Sequence, residues 1–454
     1  PSEQVRPALQ VLDRVPRESW PRGPSLERWR LELRRSLEER LGKEAAPGGD
    51  LPGCIFLIGE LGLRDEDPMS VRTVVVLQTI AASQERHVPT RAHSVVALGK
   101  LCLQREALAK QLVEFFVCHL GAEQPLAVRN NSLLVLGDLA SRYTSLVDRF
   151  IPVISDLLCD PSVLLRRQCI TTLAALLSEG YVKFKAPFMY RLFRCLSDPV
   201  AANRDLVRCC FQEVIQRRIP TVYSQCFVEV VCMLNGCADL SSFQAAVGNA
   251  HFVLEDSARR DMVYEFMLST MTVEHKFRVC SQMVTGFLAP FAEAEPQQRA
   301  RLPRHIEEPA GRALSDILRL LACRDMQVCF CAKLAQQEGQ LDAEEPGASG
   351  QAHGGDAAVA RGALSTMLRK VVRDSIAPVL VALRGVMEAE RSPFLGNLQR
   401  CLCEILREFK DDLPDLLGGD AQLAEEVAFD MKAVGAAAAR AAAAAVAALR
   451  SGQA

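Results

Sequence analysis

Arginine and lysine side chains concentrate in one part of the chain, where they could contact phosphate groups. Between Pro161 and Arg218 there are ten basic and four acidic residues, whereas the 454-residue chain carries a net charge of −2. Basic side chains bind DNA by neutralising its phosphates and releasing counterions. We therefore expect any affinity for nucleic acid to come from this local surface and not from the charge of the whole chain.

These basic residues fall into two groups. Arg166 and Arg204 continue a series that begins with Arg91 and Arg129, and its members recur at intervals of 37 or 38 residues. A position that is repeated in this way favours a structural task that is also repeated. Five of the other bases are candidates for DNA contact, and for them phosphate binding and simple solvation both stay open: Arg167, Lys183, Lys185, Arg191 and Arg194.

Acidic residues recur together with the periodic arginines. Asp160 and Asp198 each stand in an Asp-Pro turn six residues before an arginine of the series, and Glu123 holds the equivalent place before Pro125. Carboxylate and guanidinium groups form strong charge-assisted hydrogen bonds. We predict a structural ladder between neighbouring turns, in which each acid caps or pairs with the arginine beside it. Its members are Arg91, Arg129, Arg166 and Arg204 with Glu123, Asp160 and Asp198.

The residues of catalytic and metal sites do not occur in the required patterns. The sequence has no phosphate-binding loop, no His-Glu-x-x-His and no Gly-x-Ser-x-Gly. Cys401 and Cys403 are one residue apart and Cys209 and Cys210 are adjacent, whereas zinc sites use pairs separated by two to four residues. We expect the seventeen cysteines to be buried thiols in a reducing compartment. We predict no catalytic residue, no cofactor and no metal.

The interval of 37 or 38 residues between the periodic arginines is typical of stacked helical hairpins. The sequence therefore predicts an all-α fold, a HEAT-type α-solenoid of antiparallel helical hairpins. Apolar rows such as Leu133, Leu136 and Ala140, or Ile170, Leu173 and Leu177, are expected in its core.

Composition predicts the organisation of the whole chain. No secretory signal opens it and no uncharged apolar run reaches roughly 18 residues, so we expect neither secretion nor membrane spanning. Because the chain starts at Pro1, we expect it to be part of a longer protein. The predicted segments are a poorly ordered region with one helix at 1–50, the solenoid at 51–337, a flexible loop at 338–362, C-terminal hairpins at 363–432 and an Ala-rich tail at 433–454.

One sequence motif indicates a specific family. Val128-Arg-Asn-Asn131, followed by Gly137-Asp-Leu139 and Arg142-Tyr143, resembles the central block of the D-type HEAT subunits of condensin, here at about residues 88–214. Arg259-Arg-Asp-Met-Val-Tyr264 and Phe409-Lys-Asp-Asp-Leu413 are closer to the condensin II version, and the resemblance suggests a fragment from the C-terminal half.

The resemblance implies a non-enzymatic scaffold subunit. Such a subunit would bind the kleisin chain, contact double-stranded DNA and support chromosome condensation by the SMC ATPase heterodimer in mitosis, in the nucleus and on chromosomes. The alternative is a cytoplasmic HEAT or armadillo adaptor, for example a transport or phosphatase scaffold, which uses the same repeats without a DNA role.

Overall fold

A computed structural model describes residues 25–43, 51–64, 69–185, 188–237, 252–295, 297–327, 370–407, 424–429 and 431–432. These residues form helices joined by turns, without a strand among them, which confirms the predicted all-α class. They belong to two compact units, Pro1–Ile215 and Gln216–Ala454. The predicted loop at 338–362 and tail at 433–454 lie outside the described residues, as does most of 1–50 apart from its helix.

The first unit is a row of helical hairpins. Its helices are α1 (Ser25–Lys43), α2 (Leu51–Arg64), α3 (Val71–Ala82), α4 (Val88–Leu103), α5 (Glu106–Cys118), α6 (Leu126–Arg142), α7 (Thr144–Val147), α8 (Ile151–Asp156), α9 (Val163–Glu179), α10 (Phe188–Cys195) and α11 (Ala201–Cys209). Short 3-10 turns at Asp148–Phe150 and Leu157–Cys159 flank α8. A π-helical turn, Cys210–Ile215, extends α11.

These helices form two layers. The inner layer consists of α2, α4, α6, α9 and α11, each packed on the next, while α1, α3, α5, α7, α8 and α10 form the outer layer. The predicted apolar rows lie between them, and Leu133, Leu136, Ile170 and Leu173 are fully buried. Burying such a side chain stabilises the fold by about 1.5–3 kcal/mol, so packing between repeats supplies most of the cohesion of the unit.

Two glycines allow the inner helices to approach closely. Gly99 on α4 faces Val135 on α6, and Gly137 on α6 faces Thr172 on α9. A Cβ atom on Gly137 would lie 2.6 Å from Cγ2 of Thr172, well inside van der Waals contact. Because the glycines are one repeat apart, the same close contact recurs at successive interfaces.

The second unit is also helical but lacks the regular period. Its helices are α12 (Gln216–Arg218), α13 (Val222–Asn235), α14 (Ser257–Ser269), α15 (Val273–Gln282), α16 (Ala289–Ala292), α17 (Pro309–Leu321), α18 (Arg324–Gln327), α19 (Ala377–Ala389) and α20 (Leu395–Leu406). Helix α13 packs on α15 and α17, and α17 packs on α20. Helix α17 ends at Leu321, where the amide of Cys323 turns back to the carbonyl of Leu320.

Two π-helical turns explain how prolines fit inside long helical runs. Met283–Leu288 joins α15 to α16 just before Pro290, and Val372–Ile376 leads into α19 just before Pro378. Proline has no amide hydrogen and its ring clashes with the carbonyl four residues earlier. The wider turn removes that clash without ending the helix.

Candidate functional site: an arginine ladder between two edges of a solenoid

The periodic arginines of the first unit lie at the N-terminal ends of the inner helices. We call these ends of α4, α6, α9 and α11, with the turns before them, the ladder edge. Arg166 donates from Nε and Nη2 to the two carboxylate oxygens of Asp198 at 2.6 and 3.1 Å, and both side chains are buried. Arg129 pairs with Asp160 through Nη2 alone, because its Nε donates to the carbonyl of Leu120 at 2.9 Å. Each rung therefore joins an inner helix to the turn that starts the next one.

The same arginines also bind their own turns. Arg166 donates from Nη1 to the carbonyls of Asp160 and Pro161 at 2.9 and 3.0 Å, and Arg204 does so to Asp198 and Pro199 at 2.8 and 3.2 Å. The predicted pairing of each acid with the arginine beside it, six residues later, is therefore wrong in its atoms. The arginine donates hydrogen bonds to the backbone carbonyls of the turn about six residues before it, while the carboxylate that pairs with it belongs to the following repeat.

The first rung uses an amide in place of a carboxylate. Arg91 donates from Nη2 to Oε1 of Gln124 at 2.6 Å and from Nε to the carbonyl of Ala81 at 3.0 Å. Glu123, the predicted acid, is exposed at the neighbouring position. Gln124, and not Glu123, is therefore the partner of Arg91 in the first rung. The turn before α6 has Gln124 directly before Pro125, where the later turns have Asp before Pro.

The charge state of the Arg166–Asp198 rung follows from its geometry. Burial acts to raise the pKa of Asp198, but hydrogen bonds from Arg166 and from the amide of Val200 at 2.8 Å outweigh it, and the pKa is lowered. The hydrogen bond to Asp198 also raises the pKa of Arg166. The rung is thus an ion pair at neutral pH.

The second unit contains a related rung that the sequence period does not reveal. Arg260 donates to the carbonyls of Leu254 and Glu255, both at 2.8 Å, and from Nε to Asp316 at 2.7 Å. Asn235 and Tyr264 also donate to this carboxylate, at 3.0 Å each. Burial acts to raise the pKa of Asp316, but the bonds from Arg260 and Asn235 hold it below its ordinary value. Arg260 lies 56 residues after Arg204, which hides it from a 38-residue period.

Arg191, one of the five DNA-contact candidates, is buried. Its side chain is 2% exposed, Nη1 donates to the carbonyl of Pro152 and to Oγ of Ser155 at 2.9 and 2.7 Å, and Nη2 pairs with Asp156. A phosphate could not reach this guanidinium without unpacking α10 from α8. Assigning Arg191 to a DNA surface is therefore wrong, and its role is to join two outer helices.

The other four candidates do not form one patch. Arg167 is exposed in the first turn of α9, at the ladder edge, whereas Lys183 and Lys185 are exposed beyond the C-terminal end of that helix. The twelve residues from Arg167 to Glu179 alone rise about 18 Å. Arg194 is half-buried on the outer layer, where it hydrogen-bonds to Cys159. The structure therefore divides the four candidates among two edges and the outer layer of the solenoid.

A different row of bases follows the C-terminal ends of the inner helices, which we call the opposite edge. The ends of α4 and α6 are adjacent there, because Tyr143 donates to the carbonyl of Leu103 at 2.9 Å. The ends of α4, α6 and α9 and the turns that follow them at this edge carry bases from three successive repeats. They are Arg105, Arg142, Lys183 and Lys185.

The cysteines have the surroundings of packed side chains. The fifteen cysteines of the described residues are free thiols and most are buried. Burial raises the pKa of Cys102 to about 12, which keeps it a neutral thiol. Among the described residues, no cluster of three or more His, Cys, Asp or Glu could hold a metal ion. In that part of the chain we also find no helix with the length and apolarity needed to cross a membrane.

Three family models match successive parts of the chain. Residues 83–120 and 331–443 match models described as Condensin-2 complex subunit D3-like HEAT repeats, and the latter segment lies largely outside the described residues. Residues 127–287, which include both buried Arg–Asp rungs of the first unit, match non-SMC mitotic condensation complex subunit 1.

Curated relatives agree with these matches. Condensin-2 complex subunit D3 of Mus musculus is 29% identical over 421 residues, which cover 84% of this chain and 27% of that protein. The D3-L subunit of Xenopus laevis is 29% identical over 366 residues, 79% of this chain and 24% of its own length. Subunit CAP-D3 of Arabidopsis thaliana is 27% identical over 362 residues, 77% and 26% respectively. The chain thus spans about a quarter of the length of these relatives.

Proposed function

We propose that this chain, a HEAT-repeat protein related to the D3 subunits of condensin-2, is a non-catalytic scaffold segment of a chromosome-condensing complex. Its partners would be the kleisin subunit and the SMC ATPase heterodimer, and its place the nucleus, on mitotic chromosomes. The observation that carries the proposal is the similarity to condensin D subunits along most of the chain. The buried ladder supports it, because a scaffold must hold the relative positions of its repeats.

We also propose that DNA contacts the opposite edge of the first unit. Lys183 and Lys185 are exposed, and Arg142 is exposed one repeat earlier. Neighbouring inner helices lie about 8–10 Å apart, so the bases form a line along which a phosphate backbone can run. The ladder edge is less suited to phosphates, because its periodic arginines already hydrogen-bond to the carbonyls of the turns and to side-chain oxygens.

The test combines partner and DNA binding in one preparation. The chain would be co-purified with the kleisin subunit of condensin-2, and the complex titrated with a fluorescent 30-base-pair duplex at two salt concentrations. Reversing two charges on the opposite edge (Arg142→Glu with Lys183→Glu) should weaken DNA binding about tenfold. It should also reduce the slope of log affinity against log salt by about two, since each phosphate contact contributes about 0.9.

A matched control changes the same net charge elsewhere. Arg149 and Arg167 are exposed away from the opposite edge, and Arg149→Glu with Arg167→Glu should leave the affinity within twofold. Equal loss in both variants would show that DNA responds only to overall charge. Failure of the unmodified chain to co-purify with kleisin would contradict the scaffold proposal itself.

A further inference from the structure

An unusual set of exposed apolar residues marks the ladder edge. The two residues that stand three and two positions before each periodic arginine are exposed and apolar in all four repeats. Val88 is 38% exposed, Leu126 44%, Val163 45% and Leu164 52%. The complete set, here called the apolar strip, is Val88 and Pro89, Leu126 and Ala127, Val163 and Leu164, and Ala201 and Ala202.

Helix stability does not explain these residues. Acidic or hydroxyl side chains are favoured in the first turn or at the N-cap, where they satisfy backbone amides and oppose the positive end of the helix dipole. Elsewhere the chain uses them, since Ser70, Asp256 and Thr272 cap α3, α14 and α15. The helices α4, α6, α9 and α11 instead have neither a side-chain cap nor an acidic residue in the first turn.

The strip therefore combines exposed apolar surface with four helix N-terminal ends that have no acidic residue in their first turn. The carboxylates nearest to two of these ends, Asp160 and Asp198, already pair with Arg129 and Arg166. Arg167 adds an exposed positive charge beside Leu164. Three exposed acids also lie near the strip in sequence, Glu85, Glu123 and Asp205, of which Asp205 lies 3.8 Å from Arg208.

We infer that the apolar strip binds an extended acidic segment of a partner protein. Helices about 8–10 Å apart place the four apolar pairs over about 25–30 Å. A chain in the extended polyproline II conformation advances about 3.1 Å per residue with three residues per turn, so it moves from one pair to the next in three residues and presents every third side chain on the same side. The segment that fits has about ten residues, with an apolar side chain at every third position and carboxylates between them that face the helix ends.

Charge complementarity selects this partner over others. A basic segment would bring like charge to four helix ends and to Arg167, and a polyanion without apolar groups would leave the strip uncovered. DNA would therefore use the opposite edge and the peptide the ladder edge. The inference does not rest on the DNA contact proposed above, and variants of the two edges separate them.

The experiment uses the full chain and a synthetic peptide. The fluorescent probe has ten residues, with leucine at positions 1, 4, 7 and 10 and Asp or Glu at the others. Binding followed by anisotropy should saturate, and Leu126→Ser with Leu164→Ser should weaken it at least tenfold. Val153→Ser is the matched control, because Val153 is 44% exposed on the outer layer, and it should change affinity less than twofold.

Two further probes set the specificity. A peptide of the same composition with its leucines adjacent, and one with lysine for each acid, should each bind at least tenfold more weakly. The inference is overturned by absence of saturable binding, by equal binding of either control peptide, or by equal loss in Val153→Ser. Loss of binding caused by self-association of the chain, seen by light scattering, would assign the strip to a second copy and also overturn it.

Discussion

Replacing Asp198 by Asn tests whether the ladder couples neighbouring repeats. The variant keeps the size of the side chain and an oxygen for the amide of Val200, but it removes the charge that faces Arg166. The two side chains are 2% and 10% exposed, so the guanidinium is left buried without its counter-ion. Breaking a buried pair from one side costs about 3–5 kcal/mol. Because Arg166 keeps two carbonyl partners, we expect the lower end, about 3 kcal/mol.

The assay is urea unfolding followed by far-UV circular dichroism, together with hydrogen exchange resolved by peptide. Repeat proteins are stabilised by contacts between neighbouring repeats, so exchange should accelerate most in α9 and α11. Glu114→Gln is the control, because the Arg149–Glu114 pair also joins two helices but its side chains are 63% and 68% exposed. Such a pair contributes less than about 1 kcal/mol. Equal costs for the two variants would refute the reasoning.

Two extensions of this experiment isolate the ion pair. If the cost comes from an unpaired guanidinium, Arg166→Met combined with Asp198→Asn should cost less than the sum of the single changes, by about 1–3 kcal/mol. The pKa of Asp198 is lowered in the fold, so its contribution is complete above the unfolded value of about 3.9. It is lost as pH falls through the folded pKa. The Asn variant should therefore lose less stability than the unmodified chain on acidification below about pH 4.

Two other predictions follow from packing. Gly137→Ala should destabilise the first unit by about 1–3 kcal/mol through overpacking against Thr172. Adding Thr172→Ser in the same chain should restore most of the lost stability, because it removes Cγ2. A double variant as unstable as the single one would contradict this contact. Cys209 is exposed, whereas burial raises the pKa of its neighbour Cys210 to about 12. Maleimide should therefore label Cys209 in the native chain and Cys210 only in urea, as measured by peptide mass spectrometry. Equal labelling of the two thiols in the native chain would contradict the burial of Cys210.

The repeat and its core could be predicted from the sequence because both depend on local periodicity. A 38-residue interval and apolar residues at helical spacing specify which face is buried, and Leu133 and Leu173 are at zero exposure. The atoms of the ladder could not be predicted, because spacing alone does not say which of two turns is nearer to a guanidinium. Asp160 is six residues from Arg166 in sequence, yet its carboxylate pairs with Arg129 of the previous repeat.

Burial of charged residues was the second point at which sequence reasoning failed. Arg191 looked like a surface base because its neighbours include Arg194 and two lysines. The signal that could have corrected this was its own helix, Phe188–Cys195, in which every residue except Arg191 and Arg194 has a largely apolar side chain. An arginine among such residues is buried unless it can extend to water. The apolar strip was missed for the converse reason, since apolar residues in an apolar helix are ordinarily assigned to the core.

The ladder and the apolar strip are physically connected through the same turns. Asp198 accepts hydrogen bonds from Arg166 and from the amide of Val200, and Val200 directly precedes the exposed pair Ala201 and Ala202. Each rung therefore fixes the spacing of two neighbouring apolar pairs. A peptide that spans four pairs binds only when three spacings are correct together, so a broken rung should weaken peptide binding even though it touches no peptide atom. By linkage, the bound peptide should in turn slow hydrogen exchange in α9 and α11.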